Sequence, residues 1–330
     1  MKTIAFFNNK GGVGKTSLIY HVGWMMSRMG QTVLLVDLDP QSNLTSMCLA
    51  EEELEAIWPP SGPHQSILAA IDPLLERSGD IAPAPLYRVT ERLHLIPGDL
   101  GLSMFEDRLS EAWARCVHDN IVERNDAMRV TTAYARVASA AAAKVAAGII
   151  LIDVGPNVGA MNRAALIAAD AVVIPLGADL FSLQALRNLG PTLKHWQTGW
   201  RSRLYGPTSV APLPGGEMRP LGYVLLNPSV RENRPVRAYQ RWVERIPQAY
   251  AEHIVRQTST APSPSDTDDC LGMIKHFKSL MPMAQDARKP MFALTPADGA
   301  IGGHAAAVRD CADQFERLAR KILDRADLSA

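Results

Sequence analysis

Net charge is what this 330-residue chain lacks: 34 Lys and Arg balance 34 Asp and Glu, for a pI of about 7.1. No overall excess of one sign selects a nucleic acid, a membrane surface or an acidic substrate, so any charged footprint has to be local. Cysteine is scarce as well. Cys48, Cys116, Cys270 and Cys311 stand far apart, with no C-x-x-C pair and no histidine at ligand spacing, which argues against a zinc site and for four reduced thiols. Long hydrophobic runs are also missing. The apolar stretch after Lys2 covers only residues 3–7, too short for a signal-peptide core, and the longest apolar region, 164–176, is interrupted by Asp170 and Pro175 before it reaches a membrane span. These absences point to the cytoplasm. No internal repeat occurs, and with 47% hydrophobic residues the chain can bury a substantial core in one large domain or two modest ones.

What is present begins at residue 3. Residues 3–17 read TIAFFNNKGGVGKTS, an apolar strand running into a glycine-rich loop and then a helix start. Such a loop turns backbone N–H groups inward around a polyphosphate, the Lys15 ammonium reaches the terminal phosphates, and the Thr16 hydroxyl is placed to ligand Mg²⁺. The general phosphate-loop pattern has a glycine five residues before Gly14; here Asn9 stands there, followed by a second lysine, Lys10.

Along residues 17–29, Leu18, Val22, Met25 and Met26 fall near helical spacing, with Gly30 as the stop. Residues 32–36, TVLLV, are a continuous β-branched run of the kind buried on both faces of a parallel sheet, and they lead into Asp37-Leu38-Asp39-Pro40-Gln41. Strand, loop, helix, strand is the opening of an α/β, doubly wound, mostly parallel sheet flanked by helices, whose ligands sit beyond the carboxyl ends of the strands. Alternation along an extended segment puts Asp37 and Asp39 on one side.

Residues 51–88 carry an acidic run, a short apolar helix near 67–75 and proline-rich turns and read as a surface excursion; 205–220 and 257–269 read as further surface insertions in a single domain spanning 1–330. Residues 93–96 form a strand, and 102–147 read as one long helical stretch. Gly148-Ile149-Ile150-Leu151-Ile152-Asp153 is a strand that ends in a carboxylate able to hold Mg²⁺ opposite Thr16. Helix, strand and helix follow at 164–169, 171–175 and 182–196, then a buried strand at 221–226 before Asn227. The helix at 305–323 puts Val308, Cys311, Phe315, Leu318 and Ile322 on one stripe, suited to packing on the sheet.

Lys10-Gly11-Gly12-Val13-Gly14-Lys15-Thr16 resembles the deviant Walker A motif of the ParA/MinD family, closest to the ParA/Soj-like partition and positioning ATPases. The resemblance implies a P-loop NTPase fold and an ATPase that is slow without a stimulating partner. It implies ATP contacts from Lys10, Gly11, Gly12, Val13, Gly14, Lys15, Thr16 and Ser17, with Lys10 crossing a homodimer interface to the partner's nucleotide. Asp39 would position the attacking water, Asp37 would support the metal shell, and Mg²⁺ would lie near Thr16, Asp153 and Asp39. Val154-Gly155-Pro156-Asn157 takes the place of the family's switch segment, where paired prolines are more usual. Asn227 stands where the family places an adenine-reading asparagine, although a turn-forming Asn before Pro228 is the other reading. Pro290 and Met291 match the segment whose backbone lines the adenine pocket. The nitrogenase iron-protein branch shares the cradle but needs cluster-binding cysteines near the switch, and none lies between Asp153 and Asp179.

ParA-like relatives bind DNA without sequence preference, and MinD-like ones bind membranes through a basic amphipathic tail. Residues 324–330 carry acids and few bulky apolar groups, which argues against a membrane partner. From Arg187 to Arg245 ten basic residues face three acids, with Trp200, Tyr239 and Trp242 interleaved. Arg201, Arg203, Arg231, Arg234, Arg237 and Arg241 are the candidate contacts to double-stranded DNA, which would make the protein nucleoid-associated; a face that docks a protein partner is the alternative. A ParB-like or cargo-adaptor protein would stimulate hydrolysis as a plasmid, chromosome region or protein complex is segregated or positioned. An ATP-binding scaffold with little hydrolysis and a MinD-like membrane-associated ATPase are the rival readings.

Overall fold

Strand β1 (Lys2–Phe6) lies inside an eight-stranded sheet and has neighbours on both sides, β5 (Ile149–Val154) and β6 (Ala171–Gly177), both parallel to it. The remaining strands are β2 (Val33–Leu38), β3 (Tyr87–Arg88), β4 (Leu93–Ile96), β7 (Arg219–Leu226) and β8 (Cys270–Ile274), in the order β3-β4-β2-β5-β1-β6-β7-β8. Only β3, at one edge, runs antiparallel to its neighbour. This computed structural model describes residues 1–226, 236–256, 269–277 and 279–328, with the side chains of 236–239 not included.

Alternation along the strands divides the core in two. Ala5, Leu34, Val36 and Ile152 face one helical layer, while Ile4, Phe6, Val33, Leu35 and Leu151 face the other. The first layer holds α4 (Ile67–Leu75), α5 (Phe105–Arg115), α6 (Ile121–Thr131), α7 (Ala133–Lys144), α8 (Ala160–Ile167) and α9 (Leu180–Leu204). The second holds α1 (Lys15–Arg28), α2 (Asn43–Cys48), α3 (Glu51–Ile57) and the helix Gly303–Arg325, whose Cys311, Phe315, Leu318 and Ile322 are buried as the stripe implies. The sheet expected from the sequence is therefore present, and the last amphipathic face is spent inside the molecule. Among the described residues no helix is long and apolar enough to cross a membrane.

Three segments differ from their sequence reading. Within 51–88, α4 buries Ile67, Ala70, Ile71 and Leu74 against the main core, so this stretch is only partly a surface excursion. The region 102–147 is three helices instead of one. Asn120 caps α6, accepting from Val122 N at 2.9 Å, and the Thr132 hydroxyl donates to Met128 O at 2.7 Å where α6 gives way to α7. Strand β8 has no counterpart in the sequence reading; it extends the sheet beyond β7 and brings residues 274–277 to the same end as the glycine loop.

Candidate nucleotide-binding site

The glycine loop leaves β1 at the carboxyl edge of the sheet and is tied down by Asn8, whose buried amide donates to Pro175 O at 2.6 Å and accepts from Lys10 N at 2.9 Å. Gly12 and Gly14 have φ of 70° and 87°, a left-handed conformation that a side chain would strain, and Gly14 is the N-cap of α1. The helix therefore begins with free N–H groups and its positive dipole end facing the loop.

Lys15 is buried, with its ammonium bonded to Val154 O at the end of β5 and 3.6 Å from Asp153 Oδ1. Both Asp153 oxygens are buried and have no hydrogen-bond partner. Burial pushes this carboxyl above the usual range, against the pull of Lys15 and Thr16. An orphaned buried carboxylate beside a threonine hydroxyl is a donor set that fits Mg²⁺, whose shell is completed by phosphate oxygens and water.

Asp37 and Asp39 part company. Asp37 is fully buried and registers opposite Asp153 across β2 and β5. Its Oδ2 accepts from Thr45 N at 2.9 Å and from the Thr45 hydroxyl at 2.7 Å, and its Oδ1 accepts from Asp39 N at 3.2 Å. Burial and the nearby Asp153 push it up to about 7. Thr45 in turn accepts from Gly98 N at 2.8 Å. Asp37 thus braces the loop behind Asp39, with both of its oxygens already engaged. Asp39 keeps one oxygen outside this network; its Oδ1 accepts from Gln41 N at 3.0 Å and lies 3.5 Å from where a Cβ on Gly155 would sit.

Residues 154–157 are held firmly despite having one proline instead of two. The buried Asn162 amide donates to Gly155 O and to Asn157 O, each at 2.7 Å. Glu106 caps α8, accepting from Ala160 N at 2.5 Å and Met161 N at 2.8 Å. Pro156 stands 3.7 Å from where a Cβ on Gly11 would be, so residues 154–157 lie beside the glycine loop. Neither Asn162 nor Glu106 stands out in the sequence, because no spacing rule links residue 106 to residue 160.

Lys10 sits at the mouth, its ammonium paired with Asp179 and 5.8 Å from the centre of the Phe181 ring. Asp179 also caps α9, accepting from Ser182 N at 2.9 Å. Although burial works to raise it, the Lys10 and Ser182 bonds hold Asp179 below the usual carboxylate range.

Beyond Gly12 and Gly14 a cavity of about 390 Å³ opens between Leu226, Phe277, Met281 and Met291. Its apolar walls and its position against the phosphate loop suit a flat base. Met291 lines this cavity, and Pro290, buried, starts the turn that carries it. Phe277 and Met281 escape the sequence reading; the signal for them is strand β8, which carries the chain there. Asn227 lies outside the described residues.

The basic stripe is not uniform. Arg201 is exposed on α9. Arg203 instead lies 3.8 Å over the Trp113 ring and donates to Trp113 O at 2.9 Å and Gly199 O at 2.7 Å, so its guanidinium is committed to the fold and is withdrawn from the DNA candidates. Helices α10 (Val236–Val243) and α11 (Ile246–Tyr250) come after β7 in the chain; Arg241 and Arg245 are exposed and flank Trp242 at 4.4 and 5.5 Å. Arg187 and Arg245 line a hollow of about 150 Å³ between α9 and α11. Arg231, Arg234 and the Arg237 side chain lie outside the described residues.

A parallel sheet with a glycine cradle between β1 and α1, and acids at the ends of β2 and β5, defines a P-loop nucleotide-binding protein. Residues 1–205 match the model of the family described as AAA domain, and the chain belongs to that family, on its ParA- and Soj-like partition ATPase side. Over 193 residues, 58% of the chain, it is 30% identical to the sporulation initiation inhibitor protein Soj of Bacillus subtilis. Over 204 residues, 62% of the chain, it is 28% identical to the chromosome partitioning protein ParA of Caulobacter vibrioides. These matches span 65% and 66% of the two relatives, just under two-thirds of their length. A Corynebacterium diphtheriae protein of solved structure is 26% identical, with a TM-score of 0.71 over 98% of each chain. Cobyrinic acid a,c-diamide synthase from Mycobacterium smegmatis, solved with bound ADP and magnesium, shares the fold at a TM-score of 0.51 and 22% identity, over 75% of this chain and 82% of that one.

Proposed function

We propose that this chain is a Mg²⁺-dependent ATPase switch of ParA type. The observation that carries the reading is the pairing of Lys15, at the helix end of the glycine loop, with a buried and otherwise unpartnered Asp153. Lys15 and the loop amides of residues 11–17 hold the phosphates; Thr16 and Asp153 would hold Mg²⁺, which would spread the charge of the phosphates, and Asp39 orients the attacking water. Catalysis is then mainly positioning, and turnover is slow.

Lys10 gives the switch its second half. In the ATP state it leaves Asp179 and reaches the nucleotide of a second copy, so that two protomers close face to face and hydrolysis parts them. The output is the segregation or positioning of a cargo over non-specific DNA in the cytoplasm, with an adaptor protein stimulating hydrolysis; the name of the Caulobacter vibrioides relative, a chromosome partitioning protein, supports this. Asn162 and Glu106 favour a second reading, a scaffold that uses ATP with little hydrolysis, because they pin the switch segment. Phosphate release with and without DNA tests both. DNA-stimulated release that is abolished by Lys15→Ala supports the switch, and ATP binding without release supports the scaffold.

A further inference from the structure

His21 stands in the second turn of α1 with its ring wholly buried, stacked on Phe315 at 4.9 Å and edge-on to Phe292 at 5.8 Å. Its Nδ1 lies 2.7 Å from Ser17 O, and the Met291 backbone N–H donates to its Nε2 at 3.1 Å. A carbonyl can only accept and an amide N–H can only donate, so the two contacts place the single ring proton on Nδ1. Burial lowers the ring to about 4, which keeps this neutral form at physiological pH.

The two bonds join parts of the pocket that lie far apart in the chain. Ser17 is two residues past Lys15 on the helix that starts at the phosphate loop; Met291 belongs to the wall of the cavity where a base would lie. Elsewhere, Lys289 bonds to Asp298 at 2.8 Å, a tie within the same segment that fixes nothing relative to α1. We propose that His21 is a positioning residue that sets the base-binding wall at Pro290–Met291 in register with the phosphate loop, and so determines how tightly a whole purine nucleotide is held compared with its phosphates alone. The proposal rests on the nucleotide reading above. Its physical content is preorganisation: a wall already fixed in place loses little freedom when the base arrives.

The test uses the full chain with Mg²⁺, titrated calorimetrically with a non-hydrolysable ATP analogue, the matching GTP analogue and inorganic tripolyphosphate. His21→Phe keeps the aromatic contacts but deletes both hydrogen bonds; His21→Met does the same with a side chain that adapts to the space, should the first variant not fold. His21→Gln keeps one donor and one acceptor. In the Phe or Met variant the ATP analogue is expected to bind about tenfold more weakly, as the loss of a buried hydrogen bond implies. Tripolyphosphate should bind as before, the preference for the ATP over the GTP analogue should shrink, and His21→Gln should recover part of the loss. An unchanged ATP-analogue affinity, or an equal loss for all three ligands, overturns the proposal. Wild-type protein that binds none of them instead overturns the nucleotide reading itself.

Discussion

Two lysines and three aspartates at the carboxyl ends of the strands have separable duties, and substitution reads them one at a time. Lys15→Ala should abolish ATP binding, whereas Lys10→Ala should bind ATP with near-normal affinity and fail to dimerise with it, measured by calorimetry and by light scattering. Full dimerisation of Lys10→Ala would remove its role across the interface. Asp39→Ala should bind ATP, lose hydrolysis and accumulate dimer; wild-type phosphate release from that variant would exclude Asp39 from the chemistry. Asp37 gives a pH test. The folded protein keeps its proton up to about 7 while an unfolded chain releases it near 3.8, so its contribution to stability is present below that lower value and is lost as pH rises towards the upper one. His21, lowered to about 4, works in the opposite sense over its own range, so the informative quantity is a difference between proteins. Asp37→Asn should gain in melting temperature relative to wild type as pH rises from about 4 to about 8. A constant difference would mean that Asp37 is ionised in the fold. The carboxylates were legible by sequence because a strand followed by Asp is a local pattern; the engagement of Asp37 was not, since Thr45 and Gly98 come to it from two separate turns.

At the scale of elements, the loop after β5 is held by one amide and one carboxylate from helices. Asn162→Ala leaves Gly155 O and Asn157 O without that donor and should cost about 1–3 kcal/mol of stability in urea unfolding. Because the loop lies beside both Gly11 and Asp39, the same variant should change the hydrolysis rate more than the ATP affinity. Equal changes in both would place Asn162 in general stability alone. Elements with a long apolar run or a clear 3.6-residue stripe were readable in advance: β2, β5, β6 and the helix at 303–325. Those set by contact were not. For α4 it is the burial that was not: the helix itself was legible, but its proline-rich stretch looks like surface until Ile67 and Ile71 meet the core, and β8 is a strand because β7 is beside it. The breaks between α5, α6 and α7 turn on local caps within a sequence that favours helix throughout.

For the whole molecule, a neutral chain carries exposed arginines: Arg187 and Arg245 line a hollow between α9 and α11 that Glu252 shares, and Arg241 is exposed on α10. If this face tracks phosphates, replacing all three by Ala should reduce the slope of log affinity against log salt by about 0.9 for each phosphate no longer neutralised. Replacing Arg203 should instead destabilise the protein, because its guanidinium packs on Trp113. An unchanged slope in the triple variant would exclude this face as a phosphate contact. By itself the sequence determined the central strands, the glycine loop and the strand-end acids, since each is written in neighbouring residues whose periodicity or backbone freedom has one good solution. Only the tertiary structure decided which acid stays available, which arginine stays exposed, and which residues line the cavity beyond the glycine loop. Those outcomes depend on burial and on hydrogen bonds between segments as far apart as His21 and Met291, whose meeting no local pattern specifies.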